Sequence, residues 1–274
     1  MVLVSKDFVT RVKAETMGLE SEDYENLKVS YEGIHKGIRR IEVEKRVIDE
    51  FFLNKELDLE IEEPLANEYF LLASPERSSA VCRYNEESKK LQPLIMPEKG
   101  LWGVKPLNVE QKCSLDLLMR DDIPLVTLIG PAGTGKTLLT LACGMHKVFD
   151  EASFSRMLVS RPIIPLGKDI GYLPGTKEEK LYHWMQPIYD NLKYLCQNTS
   201  GEENASSTLD YIMETEKIEM EAVTYIRGRS LPKMFILVDE AQNLTPHEVK
   251  TIISRAGKGT KVVLTGDPTQ IDNP

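Results

Sequence analysis

"IPLVTLIGPAGTGKTLLTLACG", residues 123–144, is the stretch that decides the fold. The apolar run from Ile123 to Ile129 reads as a strand buried on both faces, as in a parallel sheet. It runs directly into GPAGTGKT, residues 130–137, a complete match to GxxxxGK[ST]. A helix is expected to follow, from Leu138 to Val148. Gly130, Gly133 and Gly135 let the backbone wrap so that its N–H groups point at phosphate oxygens, and the helix N-terminus adds partial positive charge. Lys136 is placed to reach the β- and γ-phosphates of a nucleotide and Thr137 to ligate Mg²⁺. Pro131, Ala132, Thr134 and Leu138 complete the expected binding loop. A glycine-rich turn that binds nothing does not need the whole octet in a strand–turn–helix frame.

Downstream the pattern repeats. "MLVS" (157–160), a helical stretch around 177–197, "MFILV" (234–238), a further helix and "KVVLT" (261–265) alternate strand with helix, which predicts an α/β fold with a parallel sheet. Thr245, Pro246 and Glu248 form a helix start with a capping box, and Gly257 is the expected stop. "NTSGEENASS" (198–207) reads as a solvated loop.

Two of these strand ends carry chemistry. "MFILVDEAQ" delivers Asp239 and Glu240 to the C-terminal end of a strand, where α/β folds bind ligands. Asp239 suits a Mg²⁺-holding role, and Glu240 suits a general base that polarises the attacking water. "LTGDPTQ" is a third strand end of the same sheet. Its Gln270 is expected beside the γ-phosphate, bonded to it or to the attacking water.

Residues 1–100 are harder to read as one compact domain. "MVLVSKDF" looks like a short buried strand and "DFVTRVKAETMG" like a helix stopping at Gly18. "ELDLEIEEP" has the period-2 alternation of a strand with one wet face. "EYFLLAS" and "SSAVCRY" suggest a hairpin turned by "SPERS", and "MPEKGLWGVKP" a linker. In "NVEQKCSLDLLMR", Val109, Leu115 and Leu118 stand at helical spacing.

Composition excludes several classes. An apolar content of 41% fits a globular chain, and the net charge of −9 gives no support to nucleic-acid binding by bulk charge. Cys82, Cys113, Cys143 and Cys196 form no CxxC pair, so free thiols are expected. No apolar run approaches the ~20 residues of a membrane span. Lys6 and Asp7 interrupt the N-terminus too early for a signal peptide, so the chain reads as soluble and cytoplasmic.

Six separated blocks, in order, carry a resemblance: "GPAGTGKTLLTLACG", "SRPIIPLGKDIGYLPG", "HWMQPIYDNL", "YIRGRSLP", "VDEAQNLTPHEVKTIISRAGKGTKVVLTGD" and "QIDNP". Over residues 101–274 the chain resembles the PhoH-like P-loop ATPase family, whose DEAQ and GD-x-x-Q elements are similar to those of superfamily 1 helicases. The resemblance implies ATP and Mg²⁺ as ligands, coupling to single-stranded RNA or DNA, and a homo-oligomeric ring. It matches Gln111 to the glutamine that reads adenine in such helicases. Many family members carry a PIN nuclease domain ahead of the ATPase, and "LVSKDFVTRVKAETMGLESEDY" resembles the last strand and helix of one. Asp7 matches one of its acidic positions, but a single carboxylate builds no metal site, so nuclease activity is not expected. The expected organisation is a PIN-like remnant (1–28), a β-rich connector (29–104) and the ATPase core (105–274), a piece that begins inside one domain and stops inside another. The rival reading is a nucleotide-binding or protein-interaction module without turnover.

Other residues stay open. Arg161, Arg227 and Arg229 could meet phosphate or nucleic acid, act as an arginine finger, or pair with nearby acids. His183 and Trp184 could stack on a base or pack on the sheet. His35, His146 and His247 show no ligand spacing. "NKEL" (54–57) lacks the final Asp of a guanine-reading motif and precedes the phosphate loop, so adenine is favoured.

Overall fold

The computed structural model describes residues 2–5, 8–22, 37–97, 100–162, 177–226 and 228–271. They fall into two units, Met1–Arg39 and Arg40–Pro274. In the first, strands β1 (Val2–Val4) and β2 (Glu20–Glu22) pair in parallel on either side of helix α1 (Phe8–Thr16). The helix ends at Thr16, and Gly18 two residues on, with a φ of +76°, supplies the left-handed turn that follows it. The first strand is less buried than its sequence suggests, with Val2 43% exposed. Asp7 lies outside the described residues.

The second unit holds two sheets, each with its own core. The antiparallel one has the order β3 (Ile38–Glu42), β4 (Tyr69–Ala73), β5 (Ser79–Asn85), β6 (Lys90–Pro93), and its β4–β5 hairpin is the one the sequence predicts. Helix α2 (Lys45–Asn54), which the sequence reading missed, buries Ile48 and Phe51 among Phe70, Leu72 and Leu91. "ELDLEIEEP" is not a strand. Leu57 alone bridges to Leu91, and beyond it the apolar residues only pack on the edge of this core.

The parallel sheet has the order β7 (Leu125–Ile129), β11 (Lys261–Gly266), β10 (Met234–Val238), β8 (Arg156–Arg161), β9 (Ile218–Ala222). Alternate residues of β10 feed the two sides. Phe235 and Leu237 join a core beneath helices α3 (Val109–Met119), α4 (Lys136–Met145), α5 (Lys177–Ser200) and α6 (Ala205–Glu214). Ile236 and Val238 join a second core with Ile252 of helix α7 (Pro246–Ile253). All five β10 side chains are buried, each such aliphatic or aromatic group worth ~1.5–3 kcal/mol.

Four expectations need correction. The strand before the phosphate loop is not buried on both faces: β7 is an edge strand, with Leu125 43% and Ile129 54% exposed. Residues 198–207 are not a loop, because α5 continues to Ser200 and a 3₁₀ turn (Glu202–Asn204) leads straight into α6. Thr199 and Ser200 hydroxyls there bond back to the Leu195 and Cys196 carbonyls, so their polar groups are satisfied on the helix itself. The "linker" contributes Leu101, fully buried in the larger core. Helix α7 has the expected capping box but stops at Ile253, before Gly257. The four cysteines are free and buried, and no described helix is long and apolar enough to cross a membrane.

Candidate functional site

The loop from β7 to α4 bends as its glycines allow. Gly133 (φ +76°) and Gly135 (φ +86°) are left-handed, a conformation other residues adopt at a cost, whereas Gly130 is not. The loop is pinned from the neighbouring strand end. Gly130 N–H donates to the Gly266 carbonyl at 3.2 Å, and Ala132 N–H donates to Asp267 Oδ2 at 3.0 Å. Inside the loop, Thr134 Oγ1 donates to the Pro131 carbonyl at 2.8 Å. Lys136 Nζ turns back onto the Gly130 and Pro131 carbonyls, at 2.7 and 2.9 Å.

At the start of α4, Thr137 Oγ1 donates to Asp239 Oδ1 at 2.7 Å. Asp239 stands at the end of β10, 6% exposed, and the same oxygen accepts from Thr265 Oγ1 at 2.7 Å. Its other oxygen faces Arg161 Nε at 3.4 Å. The next residue, Glu240, is left-handed (φ 56°), strain worth roughly 1–2 kcal/mol that turns its side chain beside Arg161, whose Nη2 lies 3.3 Å from Oε1.

Gln242 knits the remaining strand end to this pair. Its Nε2 donates to Glu240 Oε2 at 2.7 Å and to the Gln270 carbonyl at 3.1 Å, while its Oε1 accepts from Asp267 N–H at 3.1 Å. Gly266 leaves the room, since a Cβ there would meet Gln242 Oε1 at 2.8 Å. Asp267 is 5% exposed; bonds from the Thr269 hydroxyl and amide, with Ala132 N–H and Lys136 adding to them, hold its carboxyl below the usual range.

These groups surround a cleft of about 310 Å³, within the ~300–1,000 Å³ of small-molecule sites, whose walls include Lys136, Thr137, Leu138, Asp239, Glu240 and Gln270. A larger concavity, lined by Leu244, Val249 and Ile253, is shallow and apolar and holds none of this chemistry. Gln111 reaches the loop from the first turn of α3: Nε2 donates to the Thr134 carbonyl at 3.1 Å, and Oε1 accepts from Leu107 N–H at 2.7 Å.

Of the open candidates, Arg161 belongs to the site. Arg229 is held by Glu219 and Glu221 at 2.9 and 2.7 Å. Trp184 donates its indole N–H to the Pro162 carbonyl at 3.2 Å, bracing the chain after β8. Arg227 and the His183 side chain lie outside the described residues. The sequence reading missed Gln242, Asp267, Thr265 and Asn191, which also lines the cleft. The first three sit in or beside the quoted DEAQ and TGD stretches; Asn191 lies in the quoted HWMQPIYDNL block, whose spacing gives it no role.

A family profile described as "PhoH-like protein" matches residues 103–274. Protein PhoH2 of Bacillus subtilis is 45% identical over 281 residues, covering all of this chain and 62% of that protein. Protein PhoH2 of Mycolicibacterium smegmatis is 35% identical over 274 residues, covering all of this chain and 60% of that protein. A PhoH-like protein of Synechocystis is 33% identical over 190 residues, 69% of this chain and 55% of that one. The chain thus spans about three fifths of the length of the PhoH2 relatives it matches. On the profile match and these identities together, it belongs to the PhoH-like family.

Proposed function

We propose that this chain binds ATP with Mg²⁺ and hydrolyses the terminal phosphoanhydride bond. The observation that carries the reading is the meeting of Thr137 and Asp239, 102 residues apart in sequence, at 2.7 Å beside Lys136. The hydroxyl at the start of α4 and the carboxylate at the end of β10 are hard oxygen ligands of the kind Mg²⁺ takes, so the residues present fit the ion. Mg²⁺ held by Thr137 and Asp239 would supply charge neutralisation at the phosphate oxygens.

The remaining steps fall to the chain's own groups. Lys136 exchanges the Gly130 and Pro131 carbonyls for β- and γ-phosphate oxygens, and the loop amides take the rest of the charge. Glu240 accepts a proton from water as the water oxygen bonds to the γ-phosphorus. The bond from that phosphorus to its bridging oxygen breaks, and ADP leaves with the electron pair. Arg161 and Gln242 orient Glu240. Gln270, whose main chain Gln242 holds at the cleft rim, senses the γ-phosphate or the water, and Gln111 reads the adenine.

In the whole protein, turnover is proposed to serve RNA or DNA handling, in a ring of identical subunits. Residues 1–28 are read as the end of a PIN-like domain, 29–104 as a connector and 105–274 as the ATPase core. One observation favours a second reading, a nucleotide-binding module without turnover: both Glu240 oxygens already have partners, Arg161 and Gln242. Phosphate release from Mg-ATP by the chain separates the two. The binding site itself is tested by Lys136→Ala, which is expected to abolish ADP binding; unchanged affinity would defeat the assignment.

A further inference from the structure

Helix α3 joins the two sheets of the second unit, and a buried carboxylate fixes the junction. Asp116, fully buried, accepts from the Tyr69 hydroxyl at 2.6 Å and from Arg120 Nε at 3.2 Å on Oδ2, and from Ile95 N–H at 2.6 Å on Oδ1. Arg83 Nε stands 3.7 Å away, itself 3% exposed. Tyr69 and Arg83 are cross-strand partners in β4 and β5, so the antiparallel sheet presents a polar pair to α3. Its apolar residues Phe70, Leu72 and Cys82 belong to the separate core with α2. The link between sheet and helix is therefore a hydrogen-bonded charge cluster in which geometry is exacting, since losing one partner leaves a buried charge short. Burial and the Asp116 charge both raise the Tyr69 hydroxyl, keeping it a donor.

The other end of the same helix touches the phosphate loop. Asn108 Oδ1 caps α3 by accepting from Gln111 N–H at 2.8 Å, and the Gln111 side chain bonds Thr134 of the loop. Beyond the helix, Lys261 Nζ gathers the Leu117, Arg120 and Ile123 carbonyls at 2.8, 2.6 and 2.8 Å, tying that end to β11. The helix is thus held at Gln111 by the phosphate loop, at Asp116 by the antiparallel sheet and at its close by Lys261.

We propose that Asp116 is a positioning residue for the nucleotide site: it locks α3 to the antiparallel sheet so that Gln111 stays against the phosphate loop, coupling sheet and loop through the helix. For nucleotide affinity this rests on the reading of residues 130–137 given above; for the mechanical link it does not. Coupling is reciprocal, so a nucleotide in the loop tightens the Tyr69–Asp116 junction as much as the junction favours the nucleotide.

The test uses Tyr69→Phe in the full chain, which removes one hydroxyl and leaves the ring and the Asp116–arginine pairs. ADP affinity is measured together with hydrogen exchange at the Leu107, Gln111 and Ala132 amides, in wild-type and Gln111→Ala backgrounds. The expected result is about fivefold or more weaker ADP binding and faster exchange at these amides, with the affinity loss disappearing once Gln111 is alanine. Unchanged affinity and exchange would overturn the proposal, and so would a loss that adds in full to that of Gln111→Ala. Asp116→Asn, where it folds, is expected to repeat the pattern more strongly. Should Lys136→Ala show that the loop binds no nucleotide, the exchange rates, measured without one, still decide whether the link exists.

Discussion

Thr137 Oγ1 donates a 2.7 Å hydrogen bond to Asp239 Oδ1, and Thr265 Oγ1 donates to the same oxygen at the same distance. The two threonines are equivalent as donors but not in position. Thr137 faces the cleft, whereas Thr265 is fully buried within β11. Thr137→Ala is therefore expected to lower Mg-ADP affinity about tenfold or more, the scale of a lost hydrogen bond to a charged group, and to shrink the difference between titrations with and without Mg²⁺. Thr265→Val removes an equal bond and is expected to leave that difference intact. Equal Mg²⁺ dependence in Thr137→Ala and wild type would take Thr137 out of the metal role.

Glu240 sits one residue beyond Asp239, in a left-handed conformation, with its carboxylate between Arg161 and Gln242 at the cleft wall. Glu240→Gln keeps the shape and removes the basic oxygen. Turnover is expected to fall by ~10² or more while ATP still binds, the usual scale for a lost general base. Steady-state phosphate release beside an ATP titration checks it; unaltered turnover would move the base elsewhere.

The contact between Gln242 and Glu240 has a pH signature. Gln242→Glu puts a carboxylate where the amide nitrogen now lies, 2.7 Å from Glu240 Oε2. Two like charges so close repel each other, which disfavours the charged pair. A base acts in its ionised form, so the acid limb of the rate profile is expected to move to higher pH. Gly266→Ala should reach the same residue without changing any charge, because its Cβ would strike Gln242 Oε1 at 2.8 Å. Lower turnover with normal ADP binding is the expected outcome. An unmoved acid limb together with full activity in Gly266→Ala would show that Gln242 does not orient the base.

What the sequence disclosed follows the range of the interactions involved. The phosphate loop was legible because its glycines, Lys136 and Thr137 act within eight neighbouring positions. Thr245 and Glu248 were legible as a capping box for the same reason. The exposure of β7 was not, because "IPLVTLIG" has the composition of a central strand, and only the strand order puts it at an edge. Gln242 and Asp267 stood in plain view, yet their roles depend on an amide of one strand end meeting the side chain of another. Asp116 looks like any helix-surface acid in "SLDLLM". Its partners include a tyrosine 47 residues upstream.

Lys261 offers a test at the far side of the sheet. It is 1% exposed, and its ammonium donates to three carbonyl groups at and beyond the close of α3. Burial pulls its pKa down to about 8 from the ordinary 10.5. Above that upper value the amine is neutral in both folded and unfolded chains, and below about 8 it is charged in both. Between the two, the unfolded chain holds a proton that the folded chain has released. Stability therefore increases as pH rises through this window. Lys261→Met removes the titration along with the three bonds. It is expected to be less stable than wild type at pH 7 and to lack the alkaline gain, so the gap between the two melting curves should widen from pH 8 to pH 10. Parallel curves across that range would mean that Lys261 keeps its proton in the folded chain, with its three carbonyl bonds outweighing the cost of burial.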